Sequence, residues 1–167
     1  NIADSHGGLA AVPVNFTPNA NNIASLVFSV NFDHTCLSFD PTDSNADGIP
    51  DSVTFNVPAA FGRSVSYNAG DLDGELDFLI ADTFPPLSAL PGGSLVTIML
   101  RADQCTPPPG SSVIAAVAFS TDPPPSFGNT TGQAVDISGW TMDGEIRHTF
   151  RSGTVIPAGA GNAVANY

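Results

Sequence analysis

The sequence contains no lysine. It has four arginines and 16 Asp and Glu residues, which gives a net charge of −12 over 167 residues. Charged residues make up 12% of the chain, about half of the usual share. A surface without basic patches repels nucleic acid and anionic lipid but attracts divalent cations. The longest apolar runs are broken by Ser, Thr, Asp or Pro, and none reaches the ~20 residues of a membrane span. We therefore expect neither a nucleic-acid partner nor a membrane span.

Cysteine is almost as scarce, since only Cys36 and Cys105 are present. Their wide separation excludes a CxxC redox motif and a zinc knuckle. Two free buried thiols are one alternative, but a disulfide between the two is favoured because the sequence otherwise resembles a secreted protein. Closing such a loop of about 70 residues would stabilise the fold by about 4 kcal/mol in the chain-entropy model. The chain begins with Asn1 rather than Met, which suggests a processed protein outside the cell or on its surface.

No segment has a sustained helical period, and apolar residues instead alternate with polar ones, as in half-buried strands. Asp-Gly, Pro-Gly and Pro-Pro turn signals separate these runs. The pattern predicts an all-β fold, an antiparallel sandwich of about nine strands. The alternating apolar positions begin at Val12, Leu26, Val53, Leu76, Val96, Val113 and Ile146.

The order of several phrases resembles the cohesin domain family. A strand ending in an aromatic-Asp-x-x-x-Leu-x-Phe phrase is matched by residues 32–39, a Gly-x-Leu-x-Thr-Ile strand by residues 93–100, and a closing Asp-Gly-x-Ile strand by residues 143–146. The resemblance covers about residues 11–151 and implies a nine-stranded jelly-roll sandwich that binds dockerin modules through one sheet face. It leaves residues 1–10 as an N-terminal extension and residues 152–167 as an uncharged tail.

An acidic stretch at residues 40–53, DPTDSNADGIPDSV, has the spacing of a calcium loop. Oxygen ligands recur at every second position, a glycine at position 6 permits the sharp turn, and position 7 contributes its carbonyl. Position 12 is Thr54 rather than the bidentate Glu of an EF-hand, which predicts a loop between strands. Ligands without His or Cys favour Ca²⁺ over transition metals. The predicted ligands are Asp43, Asn45, Asp47, the carbonyl of Ile49, and Asp51.

A second acidic group, Asp71, Asp73, Glu75 and Asp77, surrounds the Asp73-Gly74 turn signal. A hairpin turn with exposed carboxylates is one interpretation, and a second metal cluster formed by Asp71, Asp73 and Asp77 is the other. Catalysis finds little support, because the three histidines are scattered and no nucleophile motif is present. We therefore expect a protein that is not an enzyme.

The last 16 residues, 152–167, carry no charged side chain. Such a segment is poorly suited to remain solvated on its own and well suited to pair with a sheet edge. Its sizeable apolar groups are Val155, Ile156, Val164 and Tyr167. We expect a secreted, calcium-binding subunit that assembles with copies of itself into an extracellular fibre or surface layer, its terminal segments pairing with a neighbouring copy. The alternatives are a receptor for a dockerin-like partner and a carbohydrate-binding module.

Overall fold

The computed structural model describes residues 3–5, 8–70, 73–104, 112–136 and 146–151. Within them lie twelve strands and no helix. The strands are β1 (Ala3–Ser5), β2 (Leu9–Phe16), β3 (Ile23–Phe32), β4 (Ser38–Phe39), β5 (Val53–Phe55), β6 (Gly62–Tyr67), β7 (Glu75–Ala81), β8 (Gly93–Arg101), β9 (Ser112–Phe119), β10 (Ser126–Asn129), β11 (Ala134–Val135) and β12 (Ile146–Arg151).

These strands form one eight-stranded and one four-stranded sheet. In the larger sheet, β3 pairs along one edge with β7, which in turn pairs with β6. Along its other edge β3 pairs with β9 and then β10, and β12 and β1 extend the sheet beyond β9. In the smaller sheet, β8 pairs with β2 on one edge and with both β4 and β5 on the other. Every pair is antiparallel except β1 with β12, which are parallel.

The core lies between the two sheets, and strict alternation places it there. Strand β2 is buried at every second residue, from Ala10 to Phe16. Strands β3, β7 and β8 contribute the largest fully buried side chains, among them Phe78, Ile98 and Leu100. The rings of Phe28 and Phe78 stack across the β3–β7 pair with centroids 4.9 Å apart. Burial of this kind stabilises the fold by about 1.5–3 kcal/mol for each large apolar side chain.

The fold class predicted from the alternation is confirmed, but the strands are more numerous than about nine. Short strands raise the number, because the edge of the smaller sheet is divided into β4 and β5, and β9 and β10 are separate segments beside β3. The sandwich also begins earlier than residue 11. Strand β1 lies within the predicted extension and pairs with β12 of its own chain, and β2 begins at Leu9.

Two connections bear on function. The segment between β4 and β5, residues 40–52, is inserted into the edge of the smaller sheet and is called the acidic loop below. Asp73-Gly74 lies in the connection between β6 and β7, which pair antiparallel from Tyr67 and Leu76 onward. The predicted hairpin is therefore present, with a longer connection than a two-residue turn.

Candidate functional site

The outer face of the larger sheet, on β6, β7, β3 and β10, carries mostly small side chains and is called the larger-sheet face below. Its composition follows from the register, because residues directly opposite one another share a face. One row across the strands is Gly62, Ala81, Ser25 and Gly128, the next is Ser64, Leu79, Val27 and Ser126, and a third is Ser66, Asp77 and Ser29.

Two large apolar side chains interrupt this surface. Val27 on β3 and Leu79 on β7 are direct register partners. Both side chains lie on the solvent-facing side of their strands, and their exposed fractions are 39% and 43%. Single exposed apolar residues are ordinary on protein surfaces, but an adjacent pair on one sheet face forms a small apolar patch. The sequence patterns did not single out these residues. The signal that could have found them is a large apolar residue on the solvent phase of an alternating strand.

Asp77 borders this pair on β7, one row further along the sheet. Its carboxylate accepts a hydrogen bond from the Ser29 hydroxyl at 2.5 Å and one from the Ser66 hydroxyl at 3.2 Å. These bonds come from the two neighbouring strands, so they hold the carboxylate against the sheet face. The larger-sheet face therefore presents an apolar pair beside a fixed negative charge.

The loop that follows β7 places a third apolar group at the end of this sheet. Phe84 is 79% exposed. The carboxylate of Asp82, which is buried, accepts the backbone N–H of Ser88 at 2.7 Å and that of Phe84 at 3.1 Å. These hydrogen bonds lower the pKa of the Asp82 carboxyl below its usual value, Ser88 contributing most. The buried carboxylate thus organises the loop that carries Phe84.

The acidic loop is closed at its base and braced by its own side chains. The N–H of Asp51 donates to the carbonyl of Thr42 at 2.8 Å, and Ile49 packs against the core. The Asp43 carboxylate accepts the N–H groups of Asp47 and Gly48, at 3.3 and 2.8 Å. Gly48 has a φ of +84°, as its predicted place in the turn requires.

The other predicted ligands also turn their oxygens toward the loop backbone. Asn45 accepts the N–H of Asp47 at 3.0 Å, and Asp47 accepts that of Ile49 at 2.9 Å. Asp51 accepts both the N–H and the hydroxyl of Ser44. Within the described part of the chain, no three Asp, Glu, His or Cys side chains meet in an arrangement that could hold a metal ion. The structure brings the predicted residues into one loop, and calcium binding stays a prediction.

The second acidic group is only partly described. Asp71 lies outside the described residues. Asp73 accepts the N–H of Glu75 at 3.1 Å, as a turn-forming aspartate does, and Asp77 lies on the larger-sheet face with its two serine partners. A shared metal site for these three residues stays a prediction.

A groove of about 410 Å³ lies on the outer face of the smaller sheet, beside the acidic loop. Its apolar lining includes Leu9 of β2, Met99 of β8 and Pro41 of the loop. Asp40 and Arg101 also line it. Hydrogen bonds from the hydroxyl and N–H of Thr42, together with the charge of Arg101, lower the pKa of the Asp40 carboxyl. This groove is called the smaller-sheet groove below.

Cys36 is buried and disulfide-bonded. Its predicted partner, Cys105, lies outside the described residues, so the pair itself stays a prediction. The adjacent residue Gln104 donates its N–H to the carbonyl of Cys36 at 3.2 Å, which brings the two segments together.

The predicted tail residues Val155, Ile156, Val164 and Tyr167 lie outside the described residues, and their pairing also stays a prediction. A carbohydrate-binding module would need exposed aromatic rings, but the Tyr67 ring packs inward, with its centroid 4.9 Å from that of Phe39. Along the described stretches, no helix combines the length and apolarity that a membrane crossing requires.

No protein-family model and no curated protein matches this chain. Solved structures of cohesin modules do match it. The OlpC cohesin in a type I cohesin–dockerin complex from Clostridium thermocellum is 15% identical with a TM-score of 0.60, over 90% of this chain and 89% of that one. A type III cohesin from the cell-surface anchoring scaffoldin ScaE of Ruminococcus flavefaciens is 14% identical with a TM-score of 0.58, over 91% and 83%.

A third match is the sixth cohesin of scaffoldin B from Acetivibrio cellulolyticus, solved in complex with a dockerin. It is 20% identical with a TM-score of 0.54, over 91% of this chain and 94% of that one. The chain therefore has a cohesin-like jelly-roll fold, as the order of sequence phrases predicted.

Proposed function

We propose that this chain is a non-catalytic protein-interaction module that binds a dockerin-like partner on its larger-sheet face. The observation that carries the proposal is the exposed pair Val27 and Leu79 among mostly small side chains. The fold supports it, because the cohesins of Clostridium thermocellum and Acetivibrio cellulolyticus described above were solved in complexes with dockerins.

The chemistry of the face suits one side of an amphipathic element. The small exposed residues Gly62, Ser64 and Ser126 leave room for the backbone of a partner to approach closely. Val27 and Leu79 would then contact its apolar side chains, and burying such central apolar groups commonly dominates binding energy. Asp77 would pair with a cation or a hydroxyl group of the partner, which supplies specificity more than affinity.

The test is binding of purified dockerin modules encoded in the same genome, measured by calorimetry. We expect Leu79→Asp to weaken binding at least tenfold, which corresponds to about 1.4 kcal/mol. Leu9→Asp is a matched control, because it places the same change on an exposed leucine of the smaller sheet. Equal effects of the two substitutions, or no effect of either, would contradict the proposed face.

We further propose that the acidic loop binds Ca²⁺ through Asp43, Asn45, Asp47, Asp51 and the Ile49 carbonyl. The calcium-loop spacing of these residues, within one loop closed by the hydrogen bond from the Asp51 N–H to the Thr42 carbonyl, supports this proposal. Each carboxylate oxygen has two lone pairs, so a hydrogen bond to the loop backbone leaves capacity for a cation. Calcium bound here would draw together carboxylates that otherwise repel one another.

Self-assembly is the second candidate function. Strand β2 pairs with β8 along one edge, and within the described ranges no strand covers its other edge. An unpaired strand edge can accept a segment from another copy, and the uncharged tail is the segment predicted to do so. Sedimentation at increasing protein concentration tests this candidate.

A carbohydrate-binding role stays a third alternative that no described aromatic surface supports.

We place the protein outside the cell or at its surface. Its predicted disulfide is typical of secreted proteins. A matched cohesin belongs to a cell-surface anchoring scaffoldin, which supports the same location. Detection of the protein in culture medium or on intact cells by antibody tests this placement.

A further inference from the structure

The smaller-sheet groove is unrelated to the proposed partner face, since it lies on the opposite side of the sandwich. Leu9 is 54% exposed at this groove and lies directly opposite Arg101. Met99 and Pro41 continue its apolar lining. The Met99 N–H donates a hydrogen bond of 2.8 Å to the Ser52 carbonyl, which holds the end of the acidic loop beside this lining. The groove is therefore built from β2, β4, β8 and the acidic loop.

The chain leaves its last described strand beside β1, the strand that precedes the Leu9 side of this groove. Strands β1 and β12 are parallel, with Ser5 opposite Arg151. From Ser5 the chain proceeds to Gly8, whose carbonyl accepts the N–H of Ala102 at 3.0 Å, and then to Leu9. Val155 is four residues beyond Arg151, just as Leu9 is four residues beyond Ser5. Four residues span at most about 14 Å. Both residues can reach the same end of the smaller sheet.

The chemistry of residues 152–167 fits a groove with an acidic rim. Asp40, Asp51 and Arg101 line the groove, so the net charge of its lining is negative and disfavours a segment rich in carboxylates. The chain as a whole has a net charge of −12, yet residues 152–167 contain no charged residue. Val155 and Ile156 supply adjacent aliphatic side chains close to Arg151.

We propose that residues 152–167 bind in the smaller-sheet groove of their own chain, with Val155 and Ile156 packed against Leu9 and Met99. Tethering raises the effective concentration of the segment to the millimolar range, so a weak contact suffices to keep the groove filled. The self-assembly candidate then becomes an exchange of this contact between copies, in the manner of domain swapping. Binding of the tail in this groove does not depend on a dockerin-like partner.

The test is amide hydrogen exchange in the full 167-residue chain, followed by mass spectrometry of peptides from residues 152–167. We expect protection of roughly tenfold or more over an unstructured peptide in the wild type, consistent with local contact rather than global stability. Leu9→Asp should remove this protection because it places a third carboxylate in the groove. Leu79→Asp, on the other sheet, should leave it unchanged.

Circular dichroism should show the same β signal in both variants, because both leucines are exposed. Exchange of residues 152–167 at the unstructured rate in the wild type would overturn the proposal, as would equal protection in Leu9→Asp. Protection that appears only on raising the protein concentration would assign the groove to the tail of another copy and overturn binding within one chain. Dockerin binding is read separately through Leu79→Asp, so failure of one proposal is distinguishable from failure of the other.

Discussion

Val27 and Leu79 lie directly opposite each other on β3 and β7, and both side chains are exposed on the larger-sheet face. Their adjacency depends on the register between strands that are about fifty residues apart in the sequence. If this pair is the centre of the binding face, Val27→Asp should weaken dockerin binding about as much as Leu79→Asp. The double variant should then cost less than the sum, because residues in contact are not additive. Calorimetric titration of both single variants and the double variant measures this coupling, and strict additivity would speak against a shared contact.

The sequence predicted the longest strands well and missed most of the short ones. It also missed β6, whose side chains are exposed or only partly buried. Alternation in β2 and β7 is strong because these strands bury one face completely, and the burial of Val12 and Phe78 follows it. Strand β10 contains Gly128 and only partly buried side chains. Its pairing with β3 therefore depends on tertiary contacts that a local pattern does not contain.

The candidate sites divide in the same way. The acidic loop is local, so its spacing alone predicted the sharp turn at Gly48, which has a φ of +84° and donates its N–H to the Asp43 carboxylate. The binding face is not local. Asp77 gains its position from Ser29 and Ser66, on two other strands, and no spacing within one segment of sequence encodes that arrangement.

Calcium should stabilise the folded chain, and Asp47→Asn should reduce that stabilisation. The substitution keeps a side-chain oxygen that can accept the N–H of Ile49 but removes one negative charge from the loop, which weakens a calcium site. We expect the rise in melting temperature between chelator and 5–10 mM Ca²⁺, roughly a saturating range for weak extracellular sites, to shrink in the variant. The measurement is thermal unfolding by circular dichroism.

Asp33→Asn is the matched control for this experiment. Asp33 also accepts an N–H two residues ahead, that of Thr35, at 3.0 Å, but it lies outside the acidic loop. Its calcium response should equal that of the wild type. A melting temperature that does not respond to calcium in the wild-type protein would refute the calcium proposal as a whole.

The Asp82 carboxylate should make the free energy of unfolding depend on pH. Its pKa is lowered in the folded state, chiefly by the Ser88 N–H and then by the Phe84 N–H. A lowered folded-state pKa means that the stabilisation is complete above the ordinary carboxyl value of 3.8 and is lost as the pH falls through the lowered value. Urea unfolding of the wild type and Asp82→Asn should therefore differ most at about pH 6 and converge in strong acid. A difference that stays constant from pH 6 to strong acid would mean that the carboxylate charge is not involved.

The disulfide of Cys36 should involve Cys105. Gln104, next to Cys105, donates its N–H to the Cys36 carbonyl, so pairing requires little rearrangement of the backbone. After alkylation under denaturing, non-reducing conditions, the intact mass should show no alkylated cysteine. Reduction should then lower the free energy of unfolding by about 4 kcal/mol, or less if the reduced chain retains structure. Two alkylated cysteines in the untreated protein would contradict the pair.

Two glycines with positive φ offer a graded test of the loops around the sites. Gly74 has a φ of +65° and Gly48 a φ of +84°, so alanine is strained at both positions. At Gly74 an added Cβ would also collide with the backbone carbonyl of Phe32, which is part of β3, whereas at Gly48 it would meet nothing within 4 Å. We therefore expect Gly48→Ala to cost about 1 kcal/mol from backbone strain alone.

Gly74→Ala should cost clearly more than Gly48→Ala, because β3 or the β6–β7 connection must shift to relieve the contact. That shift would also disturb the hydrogen bond of 2.9 Å from the Phe32 N–H to the Gly74 carbonyl. Urea unfolding in the presence of chelator measures both variants without any contribution from calcium. Equal losses would show that the β6–β7 connection adapts freely, and it would then not be a rigid support for the larger-sheet face.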